Sequence, residues 1–132
     1  MPIYNFQARF ADAVESGAKT QTIRRIRKRP TRAGETLYLY TGLRTKNPRK
    51  LREDNPKCVR ILPIEIHEER AKVKVKVGPE WLPESELDAF ARADGFADAR
   101  DFHLFWSKVH GLRPKAPLTG FELIQWEGKR AT

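Results

Sequence analysis

The sequence predicts an α+β fold: a small, mostly antiparallel β-barrel flanked by about three helices. Three observations lead there. Five short segments carry the β-branched and aromatic residues of strands, and three segments carry helical spacing. Glycines and prolines punctuate the boundaries between them. The order is helix, two strands, basic loop, two strands, two helices, strand, which suits one sheet system curling on itself with helices packed outside. A chain of 132 residues fits one domain, 1–132, and can bury enough surface to fold without staples.

Each element has its own signal. Residues 6–16 place Phe6, Phe10, Ala13 and Val14 at helical spacing, and Gly17 supplies a left-handed stop. TQTIRRI (20–26) alternates like a strand, and Pro30 and Gly34 bracket a turn before TLYLYT (36–41). Residues 42–57 are polar, with two prolines and six basic residues, a loop long enough to suggest a binding role. Residues 59–67 read as a strand in which Pro63 implies an edge position or a bulge. AKVKVKV (71–77) alternates strictly, so its valines should face the core and Lys72, Lys74 and Lys76 the solvent. Residues 83–94 and 98–110 read as two helices separated by Gly95, with Asp98 as N-cap and Asp101 in the first turn. Pro114 and Pro117 end the helical region, and LTGFELIQW (118–126) is the last strand. Trp81, Trp106 and Trp126 are expected in the core.

Charge narrows the function. Lys and Arg number 26 against 17 Asp and Glu, a net charge of +9, with a pI near 10.0. Such an excess, clustered along the chain, favours a polyanionic partner, and RNA, DNA or a nucleotide suits it better than a membrane surface. No apolar run approaches the length of a membrane span, and the start MPIYNFQARF lacks a secretory h-region. Cys58 is the single cysteine, so no internal disulfide is possible and a reducing cytoplasm is expected. His67, His103 and His110 have no ligand spacing; neither a metal nor a cofactor is expected.

The densest chemistry lies in GAKTQTIRRIRKRP (17–30). In an extended strand Thr20, Thr22 and Arg24 share one face, with Lys19 beside them and Arg25, Arg27, Lys28 and Arg29 following. Two hydroxyls, a guanidinium and an ammonium suit an anion or the edge of a base; a solvated edge strand would use the same residues. Tyr38 and Tyr40 share a face opposite Leu37 and Leu39, either stacking on bases or packing the barrel. Asp94 sits in the last turn of a helix, where a carboxylate opposes the dipole. It is therefore either a partner for a cation or half of an Asp-Gly turn.

RFADAVESGAKTQTIR (9–24) resembles the signature of the ASCH family, an RF-containing helix followed by G-x-K-x-x-T-x-R, here Gly17, Lys19, Thr22 and Arg24. FARADGF (90–96) resembles the family's second stretch, with an acidic residue near a helix end, and LYLYTGLRTK (37–46) resembles a longer loop of larger bacterial and phage-associated members. The resemblance implies a PUA-like fold with a cleft for RNA or a modified nucleoside. Some members are amidohydrolases that remove the acetyl group of N4-acetylcytidine through a Lys, a Thr and a Glu; others are proposed ribonucleases. Carried over, catalysis falls on Lys19, Thr22 and Asp94, the last one methylene shorter than the family's Glu. Thr20, Arg24, Arg25, Arg27, Tyr40 and Arg44 are the expected ligand or RNA contacts. A non-catalytic RNA-binding module using the same cleft is the alternative.

Overall fold

The computed structural model describes residues 2–128. It is α+β, with two mostly antiparallel sheets and three α-helices. The elements run β1 (Ile3–Phe6), α1 (Ala8–Ser16), β2 (Gln21–Arg25), β3 (Tyr38–Thr41), β4 (Arg49–Lys50), β5 (Cys58–Glu69), β6 (Lys72–Val77), β7 (Glu80–Trp81), α2 (Leu87–Ala93), α3 (Ala99–His110) and β8 (Leu118–Trp126). One turn of 3₁₀ helix at Glu84–Glu86 leads into α2. No helix among the described residues is long and apolar enough to cross a membrane.

One sheet has the order β2-β8-β5-β6-β7 and is antiparallel throughout; the other has the order β1-β3-β4, with β1 parallel to β3. The sheets meet where the chain before β3 runs beside the chain before β5. There Leu37 N donates to Pro56 O, Cys58 N to Glu35 O and Gly34 N to Cys58 O, each at 2.8 Å. On the opposite side, among the described residues, β1 and β2 share no ladder. The expected closed barrel is therefore not formed. Arginines bridge this seam instead: Arg24 Nη2 donates to Asn5 O at 2.8 Å and Arg27 Nη2 to Ile3 O at 3.0 Å. Edge carbonyls of β1 that would otherwise face β2 unpaired are satisfied by guanidinium groups.

The core fills the space between the sheets and beneath the helices. Tyr4, Leu37, Leu39, Ile66, Val75 and Ile124 are fully buried, and each of the aliphatic side chains contributes roughly 1.5–3 kcal/mol relative to exposure. On β3 the leucines face inward, leaving Tyr38 and Tyr40 half-buried on the outer face. On β6 Val73 and Val75 are buried while Lys72 and Lys74 are exposed. That lysine stripe is not a basic surface. Lys72 pairs with Glu84 at 3.0 Å and Lys74 with Glu69 at 3.3 Å, and Glu65 lies opposite Lys76.

Several expectations are corrected. Phe6 ends β1 rather than starting α1, and the 42–57 loop is anchored by β4 and by buried Leu51 and Arg52, the latter held by Asp54. Pro63 lies on an interior strand rather than an edge, and the bulge expected as the alternative is met by a register shift between Ile64 and Ile66. Its carbonyl accepts from Gly78 N, so its missing N–H falls where the β5–β6 ladder ends. Trp106 and Trp126 are buried, but Trp81 is 49% exposed, lying against His67 with Lys74 and Lys76 over its ring.

Candidate functional site

Gly17 takes φ 89° and closes α1 as a left-handed C-cap. The chain then threads between two helices: Lys19 N donates to Ala13 O and Thr20 N to Ala93 O, both at 2.9 Å. Lys19 is thereby turned inward at the end of α2, where Asp94 caps the helix. The Nζ of Lys19 donates to Asp94 O at 2.5 Å and to Asp94 Oδ1 at 3.1 Å. Both side chains are buried, 4% and 3% exposed. Gly95, at φ +93°, completes the turn, and a Cβ there would lie 2.9 Å from Lys19 Cδ and 3.0 Å from Phe10 Cδ1. The Asp-Gly pair is thus both a turn and the partner of a cation, with glycine required by backbone angle and by space.

Burial governs the protonation of this pair. It lowers the pKa of Lys19, with Asp94 opposing and Arg24 and Arg9 assisting. Burial likewise raises Asp94 from 3.8 to about 6, against the pull of Lys19 and then Arg24. Both shifts favour the neutral forms. Desolvation outweighs the like charges of Arg24 and Arg9 in lowering Lys19. An amine-form Lys19 has two hydrogens, matching the two Asp94 oxygens it faces, and its lone pair then remains available for a proton.

Thr22 and Arg24 share a face of β2, as alternation requires, opposite Ile124 and Glu122 of β8. Thr22 is buried and its Oγ1 accepts from Arg24 Nε at 3.0 Å. That bond occupies the hydroxyl oxygen from one side while leaving its hydrogen free to turn. Arg24 itself lies over Phe6 and Tyr4, at 4.9 and 5.3 Å from their ring centroids.

Lys19, Thr22, Arg24, Arg25 and Asp94 line one cavity of about 280 Å³. Its walls are aromatic: Phe10 lies 5.2 Å from Phe96, which lies 5.2 Å from Phe105, with Trp106, His110 and Phe121 beyond. Arg9 clamps this wall from outside, over Phe10 and Phe96 and paired with Asp101 at 2.9 Å. A volume at the lower end of small-molecule sites, with apolar walls and a few convergent polar groups, suits one small planar ligand better than a length of polymer.

Of the remaining expected contacts Arg25 lines this cavity, whereas Thr20, Arg27, Tyr40 and Arg44 do not. Arg25 is exposed at its mouth, 4.8 Å over Phe121. Arg27 lies 4.0 Å over Tyr4, at the β1–β2 seam. Thr20 precedes β2 and is held through its backbone to Ala93 and Trp126. Tyr40 lies on the outer face of β3 beside Lys50, outside the cavity lining. Arg44 is exposed on a turn whose Leu43 N donates to Asn5 Oδ1 at 3.1 Å; Asn5 lines the cavity, so that turn sits beside it.

The aromatic wall and His110 are the features that sequence reading missed. Phe10 and Phe96 stand inside the two quoted motifs, a signal that was available; Phe105, Trp106 and Phe121 are joined to them only by packing. A larger groove of about 830 Å³ lies between the β5–β6 hairpin and α3, but none of the expected site residues lines it. Among the described residues no group of three or more His, Cys, Asp or Glu could hold a metal ion. Compared with family models, with curated proteins and with solved structures, the chain matches none.

Proposed function

We propose that this chain is an ASCH-type protein of PUA-like architecture whose cavity binds a modified nucleoside, free or within RNA. Its reaction is hydrolysis of an acyl amide on the exocyclic nitrogen, most concretely that of N4-acylated cytidine. The observation that carries the reading is a buried Lys19–Asp94 pair sharing one cavity with the Thr22 hydroxyl. Aromatic walls accept a planar base, and an acid–base pair shifted by burial toward its neutral forms is suited to moving protons near neutral pH.

The chemistry runs in two halves. Thr22 Oγ attacks the acyl carbon while its proton passes to the Lys19 amine. The C–N bond then breaks, and Lys19 returns that proton to the leaving nitrogen, releasing cytidine. Water adds to the acyl-threonine ester, Lys19 takes its proton, and the carboxylic acid leaves as the Thr22 hydroxyl is restored. Arg24 Nε, already on Thr22 Oγ1, stabilises the oxygen as negative charge develops on it. Asp94 positions Lys19 through two hydrogen bonds. Thr22 is bonded to Arg24 rather than to Lys19, so the transfer between Lys19 and Thr22 runs through one water or follows closure around the substrate.

A non-catalytic RNA-binding module is the second reading, favoured by exposed Arg25, Lys28 and Arg29 following β2. Incubation with N4-acetylcytidine and with single-stranded RNA, followed by product analysis, separates the readings. Cytidine and acetate are expected. RNA fragments would instead indicate a ribonuclease, and saturable RNA binding with neither product would leave the module.

A further inference from the structure

Two cationic or potentially cationic side chains line the cavity with no partner among the described residues to neutralise them. Arg25, at the end of β2, places its guanidinium carbon 4.8 Å from the centroid of Phe121. His110, the last residue of α3, places its ring 5.6 Å from that same centroid and stacks on Trp106 at 4.5 Å with a 26° tilt. Both line the cavity that holds Lys19, Thr22 and Asp94. Among the described residues, neither the Arg25 guanidinium nor the His110 ring has a hydrogen bond or ion pair to another side chain. This contrasts with the arginines around them: Arg24 and Arg27 are spent on the carbonyls of β1, and Arg9 on Asp101.

We infer that Arg25 and His110 form a phosphate subsite at the mouth of the nucleoside cavity, so that the substrate is a nucleotide rather than a free nucleoside. The inference rests on the proposed nucleoside cavity and names the substrate class for it. The stacked ring of His110 is fixed in direction by Trp106, and the Arg25 fork is fixed over Phe121. Two donors from different elements are thereby held against one aromatic ring of the cavity lining, where an oxyanion can accept from both. Burial, and after it the charge of Arg25, holds the imidazole toward its neutral form; a bound phosphate would offset that repulsion. The phosphate is either that of a mononucleotide or a backbone phosphate beside the modified base in RNA. The chemistry of the subsite is shared by both sources.

Calorimetry with cytidine, cytidine 5′-monophosphate, cytidine 3′-monophosphate and a short single-stranded oligocytidylate tests this. At least one monophosphate should bind about tenfold or more tightly than cytidine, the gain of a charge-assisted contact. A further gain for the oligonucleotide would assign the phosphate to RNA, and none would assign it to a mononucleotide. In Arg25→Gln and in His110→Gln the ratio of nucleotide to nucleoside affinity should fall toward one, whatever the absolute affinities become. Arg25 is exposed, so its variant is expected to fold and tests the inference even if His110→Gln does not. Cytidine bound as tightly as every nucleotide would overturn the subsite and leave the nucleoside cavity standing. A preference that survives in Arg25→Gln would also overturn it, because the phosphate would then be held elsewhere. Binding of none of the four ligands would overturn the subsite and the reading beneath it together.

Discussion

Lys19 and Asp94 lie 75 residues apart in the chain, yet Lys19 Nζ donates to both the main-chain oxygen and Oδ1 of Asp94 in a place closed to solvent. One bond fixes the backbone at the end of α2 and the other fixes its side chain. The lysine therefore ties β2 to α2 at the floor of the cavity, and the same atoms have both a structural and a chemical role.

Breaking one partner of this pair should be costly. Lys19→Met leaves a buried carboxyl without its donor, and Asp94→Leu leaves a buried amine without its acceptor. Each is expected to cost about 3–5 kcal/mol, whereas the double variant should cost clearly less than the sum. Urea unfolding of the four proteins measures the coupling. Additive losses would mean that the two groups do not stabilise each other in the fold.

The same pair gives a pH signature with a definite sign. Asp94 is raised from 3.8 to about 6, so the folded state holds that proton more tightly than the unfolded chain. The stability this provides is fully present below about 3.8 and is lost as pH rises through about 6. Lys19 is shifted in the opposite direction, and its contribution grows as pH climbs toward 10.5. Unfolding between about pH 3.5 and 7.5 should show wild type losing stability relative to Asp94→Asn as pH increases. A constant difference across that window would mean that Asp94 ionises normally when folded.

Gly95 is the least replaceable small residue at the site. Alanine there meets Lys19 and Phe10 at 2.9 and 3.0 Å while holding φ +93°, so backbone strain of about 1–2 kcal/mol adds to a displaced lysine. Gly95→Ala should lower the melting temperature and reduce nucleoside affinity together. An unaltered protein with full affinity would show that neither the turn nor Lys19 is tightly held.

Much of the fold was legible because it is local. The strand at 118–126 coincides with β8, Asp98 caps α3 by accepting from Asp101 N, and the valine face of β6 is inward. What was hidden depends on distant pairing. β1 is a parallel partner of β3, through pairs such as Tyr4 with Leu39, and nothing near residues 3–6 announces it; Phe6 fits a helical pattern equally well. The seam was hidden for the same reason, since Arg24 and Arg27 look like solvated cations until β1 lies beside them. At the site, spacing explains why Thr22 and Arg24 share a face. By itself it left Asp94 between turn and partner, and only the family resemblance joined Asp94 to Lys19. The cavity wall draws aromatic residues from two helices, the α2–α3 turn and a strand, which no local pattern records.

The distribution of charge makes a separate prediction for RNA. The lysines of β6 face carboxylates, whereas Arg25 at the end of β2 and Lys28 and Arg29 after it are exposed. Single-stranded RNA affinity should fall with salt by a slope of about −0.7 per phosphate contacted. Replacing Arg25, Arg27 and Arg29 with glutamine should flatten that slope, while Lys74→Gln with Lys76→Gln should leave it nearly unchanged. The reverse ranking, measured by titration at several salt concentrations, would move the interface to the β6 face.

The sharpest test of the reaction is the exchange of one cation for another. Lys19→Arg keeps a positive charge and can still donate toward Asp94, but a guanidinium does not give up its proton near neutral pH. If Lys19 carries protons to and from Thr22, turnover of N4-acetylcytidine should be nearly abolished, and the ligand should still bind within about an order of magnitude of wild type. Thr22→Ala should likewise remove turnover while sparing affinity, because the hydroxyl matters most where a bond is made. Asp94→Glu gives the carboxylate length that the family resemblance implies, but in a space filled by Lys19 and Gly95; its activity reports whether Asp94 only holds the lysine or also shuttles a proton. A binding module predicts another pattern. Lys19→Arg would then change affinity little, and Thr22→Ala would cost about 1 kcal/mol of binding, the value of one neutral hydrogen bond. Rate and affinity measured side by side separate the two. Undiminished turnover in Lys19→Arg would take the lysine out of the proton path, and the hydroxyl of Thr22 would then need another base.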